Sequence, residues 1–198
     1  MSNKNPTSDE YGTPIALVKR AAALLGRTDF DLDVCATTAN TRAGFFFTKQ
    51  VNGLQQNWCS LWTARRSSSV VSSRGKCTQP LCWMNPPYSN SAAWCKKAVE
   101  TACAAGRVLG LLKVDPGLSW WGDYVHNVAR KVWWLPRIWF VGATCTANFS
   151  SCLVYWENAN VIAATQYWGL YNLTPEERGF PERKRKQHNR LLTNFDWV

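Results

Sequence analysis

The stretch Leu81–Gly117, LCWMNPPYSNSAAWCKKAVETACAAGRVLGLLKVDPG, decides the architecture. Leu81-Cys82-Trp83-Met84 is a short apolar run of buried-strand length, and it stops at Asn85-Pro86-Pro87-Tyr88. From Ser91 the period changes: Trp94, Ala98, Ala102 and Ala105 fall on one helical face, and Gly106 supplies the left-handed stop. Val108 to Leu112 is again wholly apolar, and Lys113-Val114-Asp115-Pro116-Gly117 reads as a turn. A strand, helix, strand order of this length implies parallel pairing.

Working outward, Thr13 is expected to cap a helix from Pro14 to Leu25, with Ile15, Val18, Ala22 and Leu25 on its apolar face and Gly26 beyond it. Phe30 to Val34 alternates apolar and acidic residues, predicting a short strand that runs into the small-residue loop Asp33-Val34-Cys35-Ala36. Phe45-Phe46-Phe47 predicts another strand, and Asn52-Gly53 a turn. On the far side, Ser119 is expected to cap a helix carrying Trp120, Tyr124 and Val128. Strands over Lys131–Leu135, Ile138–Val141 and Ser151–Trp156 would complete the sheet as an antiparallel edge. The fold class is therefore α/β with three layers, and such sheets bind ligands in the loops beyond the carboxyl ends of their strands.

The division expected along the chain is a domain over 1–164, interrupted by a basic insertion at 63–79, and a basic tail over 165–198. The insertion holds five Ser, four Lys or Arg (Arg65, Arg66, Arg74 and Lys76) and no acid. Within the tail, the stretch from Arg178 to Arg190 carries Arg178, Arg183, Lys184, Arg185, Lys186 and Arg190 against the single acid Glu182. With a net charge of +10 and no acidic residue between Val34 and Val99, the chain is suited to polyanions such as nucleic acid. Arg42, Lys49, Lys96 and Lys97 add to the cations of that stretch. Most of the twelve Trp, including Trp120-Trp121 and Trp133-Trp134, are expected in the core.

No run approaches the ~18 apolar residues of a membrane span, and MSNKNPTSDE is too polar for a signal peptide, so a cytoplasmic chain is expected. Its eight Cys are then expected to be free and mostly buried. They form no C-x-x-C pair; Cys77 and Cys82 stand at the loose end of ligand-pair spacing, Cys95 and Cys103 are wider than structural zinc pairs favour, and His126 and His188 are isolated, so no metal is expected.

The chemically informative element is Asn85-Pro86-Pro87-Tyr88 after a buried strand. The exocyclic amine of adenine is a poor nucleophile because its lone pair is delocalised into the ring. Methyl transfer therefore needs acceptors that hold both N–H groups and leave the lone pair aimed at a sulfonium methyl. An Asn side-chain oxygen and the following Pro carbonyl supply two such acceptors without ionising. The two prolines, Pro86 and Pro87, stiffen the loop, and a Tyr ring can stack on a base taken out of the duplex.

In this setting Asn-Pro-Pro-Tyr resembles the catalytic motif of S-adenosylmethionine-dependent amino-methyltransferases, and its surroundings are similar to phage-type DNA adenine-N6 methyltransferases. Tyr11-Gly12-Thr13-Pro14, Leu32-Asp33-Val34-Cys35-Ala36, Asn57-Trp58, Trp83 to Ser89, Leu111 to Asp115 and Arg137-Ile138-Trp139-Phe140 fall in that family's order. The resemblance implies a Rossmann-like methyltransferase fold with S-adenosylmethionine as cofactor. It implies that Asn85 and the Pro86 carbonyl hold the target amine and that Tyr88 stacks on the base. Thr13, Pro14, Asp33, Ala36, Asn57 and Asn85 would contact the cofactor. Two positions depart from the pattern: the usual Gly-rich turn is Asp-Val-Cys-Ala here, and Asn57 stands where similar sequences often have Asp.

The resemblance further implies a phage or prophage enzyme that protects DNA from restriction; double-stranded DNA is the expected partner, and no stable protein partner is expected. Candidate DNA contacts are Arg65, Arg66, Arg74 and Lys76 in the insertion and Arg183, Lys184, Arg185 and Lys186 in the tail. The rivals are an RNA or protein-glutamine methyltransferase, which would use the same acceptor geometry, and a non-catalytic DNA-binding protein of the same fold.

Overall fold

The computed structural model of the 198-residue chain describes residues 11–60, 80–158, 164–170, 172–182 and 184–185. Among the described residues six strands form one sheet: β1 (Leu32–Asp33), β2 (Leu81–Met84), β3 (Arg107–Lys113), β4 (Lys131–Leu135), β5 (Ser151–Glu157) and β6 (Gln166–Gly169), in the order β1-β2-β3-β5-β4-β6. β1, β2 and β3 are mutually parallel; β5 runs antiparallel to both β3 and β4, and β6 is parallel to β4. The antiparallel strand thus lies inside the sheet, not at its edge. It is longer and more fully buried than β4, and both of its flanks are hydrogen-bonded.

Alternation along the strands sends side chains to two cores, each covered by helix, which makes three layers. Cys82 and Met84 of β2, Val108 and Leu112 of β3, and Cys152, Val154 and Trp156 of β5 meet α2 (Ser91–Cys103) and α3 (Ser119–Tyr124). Leu81, Trp83, Leu109, Leu111, Leu153 and Tyr155 meet α1 (Ile15–Ala23) on the other face. The stripe of α1 is buried as Leu17, Val18, Ala21 and Ala22, whereas Ile15, which the spacing placed on that face, is 60% exposed.

Several expectations change in detail. Pro14, not Thr13, is the N-cap of α1 and has no polar side chain with which to cap it, while the Thr13 carbonyl accepts from Arg42. Leu118 likewise precedes α3, so Ser119 is its first helical residue rather than its cap. Phe45 and Phe47 flank β1 through isolated backbone bridges instead of a full strand. Over 138–141 there is no strand, and the one β-bridge there among the described residues is Val141 with Gly12. The sheet also continues past residue 164, since β6 bonds to β4 with all four of its residues exposed. Trp120, Trp121 and Trp133 are buried, but Trp168 is 55% exposed. Of the seven described cysteines, all free, only Cys82, Cys95 and Cys152 are buried, so the thiols are not mostly buried; Cys77 lies outside the described residues. Among the described residues no helix is long and apolar enough to cross a membrane.

Candidate active site

β2 is buried along its whole length and delivers Asn85 to the carboxyl end of the parallel strands. Pro86 is buried behind Asn85, and Pro87 opens the short 3₁₀ turn Tyr88–Asn90 that leads into α2. The Ser91 hydroxyl donates to the Tyr88 carbonyl at 3.1 Å, tying the turn to the helix. The Asn85 side chain has two partners of opposite polarity. Its Nδ2 donates to the Tyr11 carbonyl at 3.3 Å, and its Oδ1 accepts from the Tyr88 hydroxyl at 3.4 Å, the outer limit of a hydrogen bond. Oδ1 is therefore the weakly engaged atom and can take a stronger donor. The Tyr88 ring stands edge-on to Phe140 and Phe149, with interplanar angles of 73° and 90°, so neither stacks in parallel upon it.

The end of β1 lies beside this loop. The Asp33 carboxylate is buried and accepts backbone N–H bonds from Arg42 at 2.8 Å and Cys35 at 3.3 Å. Burial nevertheless dominates and raises its pKa to about 6, against the lowering by those two bonds and by the Arg42 charge. Cys35 lies between the two strand ends, and loss of solvation together with the Asp33 charge pushes its thiol well above the usual range, against a lowering by the Asn85 backbone. Ala36 is buried, with its N–H on the Phe47 carbonyl at 2.9 Å. Gly53 closes against the same corner: a Cβ there would sit 2.2 Å from the Val34 carbonyl oxygen. Its own carbonyl accepts the indole N–H of Trp58 at 2.8 Å.

Asn57 is placed differently from a free cofactor ligand. It is exposed, and its Oδ1 accepts from the N–H groups of Cys59 and Ser60 at 3.1 and 2.9 Å, capping the helical turn at 58–60. Only its Nδ2 is left for another partner. Thr13 and Pro14 lie in a buried strap over 11–14. The Thr13 hydroxyl is buried with no hydrogen-bond partner among the described residues, although an unsatisfied buried hydroxyl costs about 1–3 kcal/mol. Such an atom beside the end of β1 suits a polar ligand, so these residues fit a cofactor there. A cavity of about 360 Å³ on the outer flank of α1, lined by Ile15, Lys19, Phe30 and Arg42 among others, is separate from Asn85.

Of the candidate DNA contacts, Arg65, Arg66, Arg74, Lys76, Arg183 and Lys186 lie outside the described residues. Lys184 is exposed, and Arg185 faces Glu176 at 3.8 Å. The segment leading to them docks near the strap. The Trp139 N–H donates to the Arg178 carbonyl at 2.7 Å, and Gly179, at φ +79°, passes so close to Trp139 and Pro14 that a Cβ would strike both. Two contributors to the site were missed in the sequence reading: the Tyr11 carbonyl, which as a backbone group has no residue signature, and the inward-turned guanidinium of Arg42. No group of metal-binding side chains occurs among the described residues.

A mostly parallel three-layer sheet with one internal antiparallel strand, and Asn-Pro-Pro-Tyr at its carboxyl end, is a Rossmann-like methyltransferase fold. A chain from a structure of the type I R-M system, solved to explain that system's complex assembly and conformational transition, shares it with a TM-score of 0.51 at 14% identity. The match covers 96% of this chain and 52% of that one. The family model for DNA N-6-adenine-methyltransferase (Dam) matches residues 2–158, and the chain belongs to that family. Its relatives include the DNA N-6-adenine-methyltransferase of Haemophilus phage HP1 (strain HP1c1), 30% identical over 105 residues, which are 52% of this chain and 50% of the relative. That of Escherichia phage T1 is 26% identical over 125 residues, covering 63% of this chain and 44% of the relative. The chain thus spans about half the length of the curated relatives it matches.

Proposed function

We propose that this chain transfers a methyl group from S-adenosylmethionine to the N6 amine of adenine in double-stranded DNA. The observation that carries the reading is the Asn85 amide at the end of β2: its donor side is spent on the Tyr11 carbonyl, and its acceptor side holds only a long bond from Tyr88. An entering adenine amine, flipped from the stack, would displace the Tyr88 hydroxyl and donate one N–H to Oδ1 and the other to the Pro86 carbonyl. Both acceptors are neutral and hold the N–H groups without deprotonating them, so the proton released on N-methylation would leave to solvent. Tyr88, held edge-on by Phe140 and Phe149, would stack on the extruded base.

S-adenosylmethionine, when bound, would supply the electrophilic sulfonium methyl. Thr13, Pro14, Asp33 and Ala36 would hold it, the orphaned Thr13 hydroxyl gaining its missing partner. Asn57 would contribute through Nδ2 alone, since its oxygen caps the turn at 58–60. The cations of the insertion and of the tail at Lys184 and beyond would track phosphates, and protection of phage DNA from restriction would be the purpose. The test is incubation with unmethylated duplex DNA and methyl-labelled S-adenosylmethionine, followed by nucleoside mass spectrometry. Label in N6-methyladenine supports the reading; label only in RNA or protein, or cofactor-independent DNA binding alone, overturns it.

A further inference from the structure

Arg42 lies beside the end of β1, and its guanidinium is engaged by the chain's own carbonyls. Its Nη2 and Nε donate to the Thr13 carbonyl at 2.6 and 3.1 Å, and its Nη1 donates to the Thr41 carbonyl at 3.3 Å. Its backbone N–H holds Asp33. The guanidinium also lies against Gly12, where an added Cβ would come within 3.3 Å of Nη2. On the other side of Gly12, the chain is paired with Val141 through N–H bonds of 3.2 and 2.8 Å in both directions. The strap is therefore fixed at Gly12 and Thr13 and presents the Tyr11 carbonyl to Asn85.

That carbonyl decides the orientation of the Asn85 amide. With Nδ2 toward Tyr11 the contact is a hydrogen bond; turned over, Oδ1 would meet another oxygen and both acceptors would be unsatisfied. We infer that Arg42 is a positioning residue: by clamping the Thr13 carbonyl it holds the Tyr11–Thr13 strap so that Asn85 keeps Oδ1 directed at the target amine. The inference rests on the proposed role of Asn85 as the amine's acceptor. It also removes Arg42 from the phosphate-attracting cations with which its charge first grouped it.

The test is a double-mutant cycle on methyl transfer with Arg42→Ala, Asn85→Ala and the pair, with DNA affinity measured at several salt concentrations. Arg42→Ala should lower kcat on the order of tenfold, and added guanidinium ion should restore part of the loss. In the Asn85→Ala background the same substitution should cost less than about twofold, because the residue it acts through is gone. The salt slope of DNA binding should be unchanged, whereas a phosphate contact would reduce it by about one. Equal losses in both backgrounds, or a reduced salt slope, would overturn the inference. Should Arg42→Ala fail to fold, Arg42→Lys, which keeps the charge but loses the forked donors, runs the same cycle with the same criteria. Full activity in Asn85→Ala would instead sink the functional reading beneath it.

Discussion

Asp33 shows how burial and hydrogen bonding oppose each other at one carboxyl group. Its pKa, raised to about 6, means that the native state keeps a proton which the unfolded chain releases near pH 4. Between those values the native state binds more protons, so Asp33 contributes stability at pH 4 that is lost as pH rises through 6. The displacement corresponds to about 3 kcal/mol. Asp33→Asn should abolish this component: the stability difference between wild type and variant, from denaturant titrations, should shift by roughly that amount in the variant's favour between pH 4 and pH 7. A difference independent of pH would mean that the carboxyl is not displaced. Tyr88 and Asn85 are readable in the sequence because the proposed chemistry rests on their side chains. What Asn85 is aimed by is not readable, because a backbone carbonyl at Tyr11 looks like any other, and nothing in Arg42's identity says which way it points.

The elements divide along the same physical line. α1, α2 and the buried strands declare themselves through apolar spacing, since they bury one stripe or two faces. β6 does not: Gln166, Tyr167, Trp168 and Gly169 are all exposed, and the strand is held by backbone bonds to β4. The helix starts were misassigned for a related reason. Thr13 and Ser119 have the right chemistry for caps, but the backbone places Pro14 and Leu118 at those positions. Asn57, read as a cofactor ligand, spends its oxygen as the cap that was expected elsewhere. The Gly53 turn that precedes it was legible only as a turn; its tight contact with Val34 comes from the fold. Gly53→Ala should push the turn off the end of β1 and cost about 2 kcal/mol, read as a lower denaturant midpoint with unchanged slope. An unchanged midpoint would show that the turn yields freely.

Charge acts on the protein as one body. No acid lies between Val34 and Val99, a stretch that includes β2 and the Asn85 loop, and the net charge is +10. DNA affinity should therefore fall steeply between 50 and 200 mM salt, with a log–log slope of about −4.5 or steeper if five or more phosphates are neutralised. A flat dependence would count against a duplex substrate. The three-layer class was legible because it follows from alternating periods along the chain, whereas the internal position of β5 depends on pairing between strands far apart in sequence. The most direct measurement is quantitative methyl transfer by wild type and Asn85→Ala on the same unmethylated duplex, with S-adenosylmethionine binding followed by calorimetry. N6-methyladenine from the wild type and a rate at least about a hundredfold lower in the variant, with S-adenosylmethionine still bound through its other contacts, are the expected results. Equal rates from the two proteins would contradict Asn85 as the acceptor that orients the amine.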